Sequence, residues 1–133
     1  MADIDSTDLF KLAADLGEAP DNIAPYLGKA IGVTSLKIKQ TWASKVGSGL
    51  NAALPRAIDY TVKGASDRGG SSIESEIGFN KGRRAGALGN ISEYGTLFHP
   101  PRGFGAASLQ ENEADFEKGI DAAVADALKA VGL

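Results

Sequence analysis

The side chains that could do chemistry are few in this sequence and stand apart from one another. His99 is the one histidine, the residue type best suited to proton transfer near neutral pH. Two prolines follow it, and no Gly-x-Ser-x-Gly nucleophile turn occurs in the chain. Glu74 and Glu76 resemble a catalytic carboxylate pair, but their spacing of two indicates an ordinary solvated strand face. We therefore predict a protein that is not an enzyme, with a small hydrolase built around His99 as an alternative.

Cofactor and metal chemistry also lacks its usual residues. Gly103 to Ser108 begins like a dinucleotide-binding G-x-G-x-x-G motif, but the third glycine is missing and prolines precede it where a strand belongs. No G-x-x-x-x-G-K phosphate loop occurs. The chain contains no cysteine, which excludes disulfides, thiolate metal sites and cysteine nucleophiles. We expect neither a cofactor nor a metal ion.

The strongest local charge feature is the cluster Lys81, Arg83 and Arg84, which lies in a glycine-rich segment from Asn80 to Gly89. Such a cluster can be a solvated loop, a phosphate contact, or a partner for acidic segments of a neighbouring copy. Aromatic residues for stacking on single-stranded nucleic acid are sparse, since only Phe79 is adjacent. A nucleic-acid-binding module that uses the basic loop 81–84 is the alternative function.

Charge is distributed unevenly along the 133 residues, whose net charge is −3. Residues 1–28 carry six acids and one base, residues 29–102 eleven bases and five acids, and residues 103–133 six acids and two bases. A basic middle between acidic ends fits nearby nucleic acid, or complementary faces through which copies of the chain dock; solvated acidic helices are the simpler explanation. The acidic start does not resemble a signal peptide and no apolar run could span a membrane, so we expect synthesis in a cytoplasm and no membrane partner.

The elements that position these residues are predicted to form one domain, residues 1–133. Residues 1–19 contain a predicted short helix from Ser6 to Leu16, because its leucines fall on one helical face and a glycine follows. Residues 20–50 contain a long helix, whose apolar residues keep helical spacing over more than twenty positions and which ends at Gly47.

The pattern then changes from helical to alternating, and residues 56–97 are predicted to form an antiparallel sheet with flexible loops. Apolar and polar residues alternate in Ile58 to Lys63 and again in Ile73 to Phe79, as in strands with one buried face. A glycine- and serine-rich stretch between them has the composition of a hairpin loop. Asn90 to Thr96 is predicted to be a third strand.

Residues 106–132 are predicted to form a C-terminal helix. Ser108 and Glu111 have the spacing of a capping box at its start. We therefore expect an α+β fold, in which the long helix and the C-terminal helix pack on a small antiparallel sheet. The segment Asn80 to Gly89 is expected to lack regular structure.

An ordered set of features in the last third of the chain resembles a known family. Ile91-Ser92-Glu93-Tyr94-Gly95-Thr96 is followed by Pro100-Pro101, Gly103-Phe104 and an acidic helix. The set resembles the minor head–tail connector, or tail-completion, family of long-tailed bacteriophages, which carries E-[YF]-G-T, a proline-rich turn, a phenylalanine and a closing helix. Upstream, the long basic helix, the segment Leu54 to Ile58 and the alternating hairpin extend the resemblance to most of residues 20–133.

The resemblance implies a structural virion protein of the phage neck, made in the host cytoplasm, that forms a ring between the head connector and the tail tube. The ring is expected to be a hexamer. Its partners are then other copies of the chain, neighbouring adaptor or stopper proteins, and the tail terminator or tail tube, with DNA close by in the channel. The residues expected at contacts between subunits are Lys81, Arg83, Arg84, Glu93, Tyr94, Gly95, Thr96, Pro100, Pro101 and Phe104.

Two of these expectations depend on local geometry. On a regular strand, Glu93 and Tyr94 would point to opposite faces of the sheet. Phe104 could anchor the chain on a neighbouring subunit, or Tyr94 and Phe104 could both fill the core of their own chain.

Overall fold

A computed structural model of the protein describes residues 10–15, 23–47, 52–64, 72–80, 82–95, 102–130 and 132. The elements in chain order are β1 (Phe10–Asp15), α1 (Ile23–Val46), a short 3-10 helix (Pro55–Ala57), β2 (Ile58–Lys63), β3 (Ser72–Phe79), α2 (Gly86–Tyr94) and α3 (Phe104–Ala130). The strands form a three-stranded sheet in the order β1-β3-β2, in which β3 is antiparallel to both neighbours. Helices α1 and α3 pack against this sheet, so the predicted α+β class is confirmed.

The predicted strands β2 and β3 are confirmed, and β3 directs its apolar residues toward α1. The predicted alternation of burial holds along most of β3 but not along β2, whose outer-face residue Asp59 is buried. Ile73, Ile77 and Phe79 of β3 are fully buried. The ring of Phe79 meets Trp42 of α1 edge to face, with 5.2 Å between ring centroids. On the opposite face, the Lys63 ammonium lies 2.7 Å from the Glu76 carboxylate. The predicted long helix is likewise confirmed as α1, and Gly47 follows it with the positive φ of a helix stop.

One polar contact fixes the position of α1 on the sheet. The hydroxyl oxygens of Ser35 and Ser75 lie 2.6 Å apart, and both residues are fully buried. Ser35 also lies 2.7 Å from the Ile31 carbonyl, which accepts a hydrogen bond from it. Because a buried hydroxyl without a partner is costly, this pair favours one register of α1 over β3.

Helix α3 runs antiparallel to α1 along its length. Lys45 pairs with Glu111 at 3.0 Å, and Lys37 pairs with Asp115 at 3.7 Å, so the chain order is reversed between the two helices. Exposed ion pairs of this kind contribute about 0.2–1 kcal/mol each, and the packed side chains between the helices contribute more.

The predicted N-terminal helix is wrong over Phe10–Asp15, which forms strand β1. Every residue from Phe10 to Asp15 pairs with β3, from Ile77 to Ser72. A short apolar segment is ambiguous between helix and strand from its pattern alone. The edge of β3 that is not paired with β2 favours a strand at Phe10–Asp15, because the backbone groups along that edge need hydrogen-bond partners.

The predicted third strand is also wrong, since α2 covers Gly86–Tyr94. The expectation that Asn80 to Gly89 lacks regular structure fails only from Gly86 onward, since residues 82–85 form turns. Leu88 of α2 is partly buried against the core. The buried residues of α2, among those whose burial is described, are Gly86, Gly89, Ser92 and Glu93. These residues are small or polar, so apolar spacing in the sequence does not indicate this face of the helix. Gly89 lets α2 approach the ring of Phe79, onto which a Cβ at this position would fall.

The C-terminal helix is confirmed, but the predicted capping box is wrong. Helix α3 begins at Phe104, before the predicted start, and Ser108 lies inside it. The Ser108 hydroxyl donates to the Phe104 carbonyl at 2.6 Å, as a serine within a helix does. Instead, a carboxylate from α2 accepts a hydrogen bond from a backbone amide in the first turn of α3.

Candidate functional site

Asp59 organises the turn that carries the predicted basic cluster. Its carboxylate is 3% exposed and accepts hydrogen bonds from Asn80 Nδ2 at 3.0 Å and Arg83 Nε at 2.6 Å. Lys39 Nζ lies 3.6 Å from the other carboxylate oxygen. Asn80 Oδ1 in turn accepts the Gly82 amide at 2.8 Å, which forms an Asx turn. The basic turn is therefore tied to the sheet from its first residue.

The chain before β2 approaches the same turn. The Asn80 amide donates to the Ala57 carbonyl at 2.7 Å, which joins the 3-10 helix to the end of β3. This contact brings Arg56 beside the turn, where it lines a cavity of about 400 Å³ with four other residues. We name this the arginine cavity; it is lined by Ala52, Ala53, Arg56, Arg83 and Arg84.

The arginine cavity carries an excess of positive charge. Arg56, Arg83 and Arg84 each bring a cationic guanidinium group, and all three residues are exposed. Arg83 is paired with Asp59. Within the described ranges, neither Arg56 nor Arg84 has an ion-pair partner. Two planar guanidinium groups are thus available for carboxylate or phosphate oxygens.

Glu93 serves the chain's own fold. It is 3% exposed, and both of its carboxylate oxygens accept the Gly105 amide, at 3.0 and 2.9 Å. It therefore caps the N-terminus of α3 from α2. Burial raises the pKa of Glu93 above its ordinary value, although the N–H groups of residues 104–106 and the Arg102 guanidinium act in the opposite direction.

The backbone between α2 and α3 supports this cap. Gly95 ends α2 with φ 74°, and its amide donates to the Ile91 carbonyl at 2.8 Å. The Arg102 and Gly103 amides donate to the carbonyls of Ser92 and Glu93, at 3.0 and 3.2 Å. The conformation of Gly95 is one that glycine adopts without strain. These contacts hold the end of α2 against the start of α3.

The remaining predicted contact residues have different environments. Glu93 and Tyr94 lie at the end of helix α2, so their predicted placement on a strand is wrong. Tyr94 is 46% exposed, and Glu93 beside it is buried. Phe104 is partly buried against the core of its own chain, and the Arg102 guanidinium lies 4.5 Å from the centre of its ring. The Phe104 ring therefore packs within its own chain.

Several predicted residues lie outside the described residues. They are Lys81, Thr96, Pro100, Pro101 and, for the hydrolase alternative, His99. The structure therefore neither adds Lys81 to the arginine cavity nor positions the proline-rich turn.

Sequence reasoning missed Asp59, Asn80 and Arg56. Asp59 occupies a polar position of an alternating strand, which predicts solvent exposure. An available signal was the surplus of bases on both sides of β2, because a lone acid among them is a natural ion-pair partner. Nothing local indicates that Arg56 and Arg84 line one cavity, since 28 positions separate them.

The part of the chain that has a described structure shows neither a metal cluster nor a membrane span. It contains no group of three or more His, Cys, Asp or Glu that could hold a metal ion. None of its helices combines the length and apolar character needed to cross a bilayer.

A second concave surface lies between α1 and α3. It encloses about 470 Å³, and its lining includes Tyr26, Val33 and Gly119 with Lys29 and Asp126 among its charged residues.

Comparison with known proteins found no matching family model, no matching curated protein and no matching solved structure. Function must therefore be argued from the geometry and the sequence features.

Proposed function

We propose that this chain is a structural subunit of a bacteriophage neck, which assembles into a ring between the head connector and the tail tube. The ordered features of residues 91–104 and their resemblance to the head–tail connector family suggest this role. In the proposed ring, the chain acts through contacts with its copies and with neighbouring neck and tail proteins, and it performs no catalysis.

The single observation that carries the assembly role is the outer face of α2. Ile91 and Tyr94 are 48% and 46% exposed and lie three residues apart, on one side of the helix. Large apolar side chains are usually buried, and tyrosine is enriched at protein interfaces. The same short helix directly follows the turn that bears Arg83 and Arg84.

Mass measurement of the purified chain tests the proposal. We expect light scattering coupled to size exclusion, or mass photometry, to show a closed oligomer, alone or with purified neck or tail proteins. The double variant Ile91→Ser/Tyr94→Ser should shift the population toward the monomer while its far-ultraviolet circular dichroism stays unchanged.

Val33→Ser/Leu36→Ser is the matched control, because Val33 and Leu36 are exposed to a similar degree and with the same spacing on α1. Only the α2 pair belongs to the segment that carries the family resemblance, so the assembly role is assigned to α2 and not to this pair. The control variant should leave the oligomer intact. A wild-type chain that stays monomeric at all concentrations and binds no neck or tail protein would contradict the proposal.

A nucleic-acid-binding module is the second candidate, and the arginine cavity favours it. Guanidinium groups suit phosphate contacts, and such binding weakens steeply with added salt. Fluorescence anisotropy with a duplex oligonucleotide tests it at about 50 mM salt, where phosphate contacts are strong. Binding that Arg83→Ala/Arg84→Ala abolishes supports this candidate, and no measurable binding at that salt concentration rejects it.

A further inference from the structure

We infer that the arginine cavity binds the acidic outer face of α3 from a second copy of this chain, in a head-to-tail contact. The inference rests on the proposed ring and adds to it which surfaces meet. Its occupant is a row of carboxylates, Glu113, Glu117 and Asp121, which we name the acidic stripe.

The acidic stripe has the geometry of a docking surface. Its residues are four apart on α3, so they follow one side of the helix at intervals of about 6 Å. All three are exposed. Two other acids of α3, Glu111 and Asp115, already pair with α1. The stripe residues have no ion-pair partner among the residues whose structure is described.

The arginine cavity complements this stripe in charge. Arg56 and Arg84 present planar donor groups that match carboxylates in a bidentate way. Asp59 and Asn80 hold the turn in place, so few degrees of freedom are lost when the cavity is filled. Ala52 and Ala53 contribute short side chains to the lining, which leaves room for carboxylate side chains of the stripe.

Two different surfaces of one chain make this contact heterologous. Each copy then offers its arginine cavity to one neighbour and its acidic stripe to the other, and such contacts close into a ring when the rotation between copies is suitable. This arrangement connects the uneven charge distribution of the sequence to an assembly.

The surroundings of the cavity favour a protein carboxylate over a phosphate backbone. Nucleic-acid binders track several successive phosphates with a continuous positive groove. Among the described residues, the outer face of β2 and β3 carries Asp59, Glu74 and Glu76 as well as Lys63, so it is not a continuous positive surface. The chain as a whole is also negative, at −3.

A charge exchange between the two surfaces tests the inference in the full chain. Two charge-reversed variants are compared, Arg56→Glu/Arg84→Glu and Glu113→Arg/Glu117→Arg. We expect each to weaken self-association at least tenfold in sedimentation velocity experiments, because each places like charges opposite one another at the contact between copies. An equimolar mixture of the two variants restores the opposite charges at every contact and should recover the oligomer. Lys29→Glu/Lys129→Glu is the control, since it changes the net charge as the arginine variant does but lies elsewhere, and it should assemble normally.

The outcomes separate this inference from the proposed ring. Rings that form equally well in both charge-reversed variants, with circular dichroism unchanged, overturn the inference and leave the proposed ring standing. Charge-reversed variants that dissociate without recovery on mixing also overturn it. A wild-type monomer that binds duplex DNA through Arg56 and Arg84 overturns both and favours the nucleic-acid candidate.

Discussion

At the scale of single residues, the predicted contact motif divides into scaffolding and surface. Glu93 and Gly95 join α2 to α3 through a buried carboxylate and a glycine of positive φ. Tyr94 between them remains largely exposed. A motif can therefore contain residues with separate tasks, because adjacent helical positions point about 100° apart. Substitutions in this motif should accordingly have different consequences.

Glu93→Ala should lower the free energy of unfolding by about 1–2 kcal/mol, because the first turn of α3 loses its cap. Glu93→Gln keeps an acceptor oxygen and should lose less. Urea unfolding followed by circular dichroism at 222 nm measures both. Equal losses in the two variants would show that the carboxylate charge, and not an acceptor at the helix terminus, stabilises this junction.

The pH dependence of stability should reflect the raised pKa of Glu93. A carboxyl whose pKa is higher in the folded state binds its proton more tightly there, so it stabilises the fold at low pH and loses that contribution as pH rises. We expect the free energy of unfolding of the wild type, minus that of Glu93→Gln, to fall as the pH rises above the ordinary glutamate pKa of 4.5. A difference that grows with pH would mean that the N–H groups and Arg102 outweigh burial.

At the scale of elements, close backbone approach decides the position of α2. Gly89 stands directly over the buried ring of Phe79, whereas Gly32 in the middle of α1 has open space beside it. Both are helical glycines, so their intrinsic effect on helix stability is the same. The tertiary contact alone distinguishes them, and it fixes where the turn that bears Arg83 and Arg84 leaves the sheet.

Gly89→Ala should therefore destabilise the protein by about 1–3 kcal/mol through overpacking against Phe79. Gly32→Ala should stabilise it by about 0.5–1 kcal/mol, since alanine is the better helix former. Thermal unfolding of the two variants provides the comparison. If Gly89→Ala raised the melting temperature as Gly32→Ala does, α2 would not be packed on β3 in the way described.

At the scale of the whole molecule, the core closes within one chain. Two clusters of buried residues lie along α1: one includes Trp42 and Phe79, the other Ile31 and Ile73, and Phe116 of α3 contacts both. The surfaces assigned to assembly, the outer face of α2, the arginine cavity and the acidic stripe, are exposed and lie outside these clusters. Folding and association should therefore be separable.

The denaturation midpoint should reveal this separation. For the wild type we expect it to rise with protein concentration between about 1 and 100 µM, because association stabilises the folded chain by mass action. For Ile91→Ser/Tyr94→Ser it should stay constant, at the value that the wild type approaches on dilution. A variant that unfolds outright at low concentration would indicate that the subunit needs its neighbours to fold.

The sequence alone determined the α+β class, the long helix, the two paired strands and the C-terminal helix, because their apolar spacing depends on local geometry and burial of one face. It also located the basic turn. Only the tertiary structure decided that Phe10–Asp15 pairs with β3 and that residues 86–94 form a helix, since the open edge of β3 lies far from Phe10–Asp15 in the chain and Gly89 meets the ring of Phe79 only when α2 packs on β3. It likewise placed Arg56 beside Arg84 and buried Asp59 and Glu93, because partners distant in sequence determine where charged groups can lie.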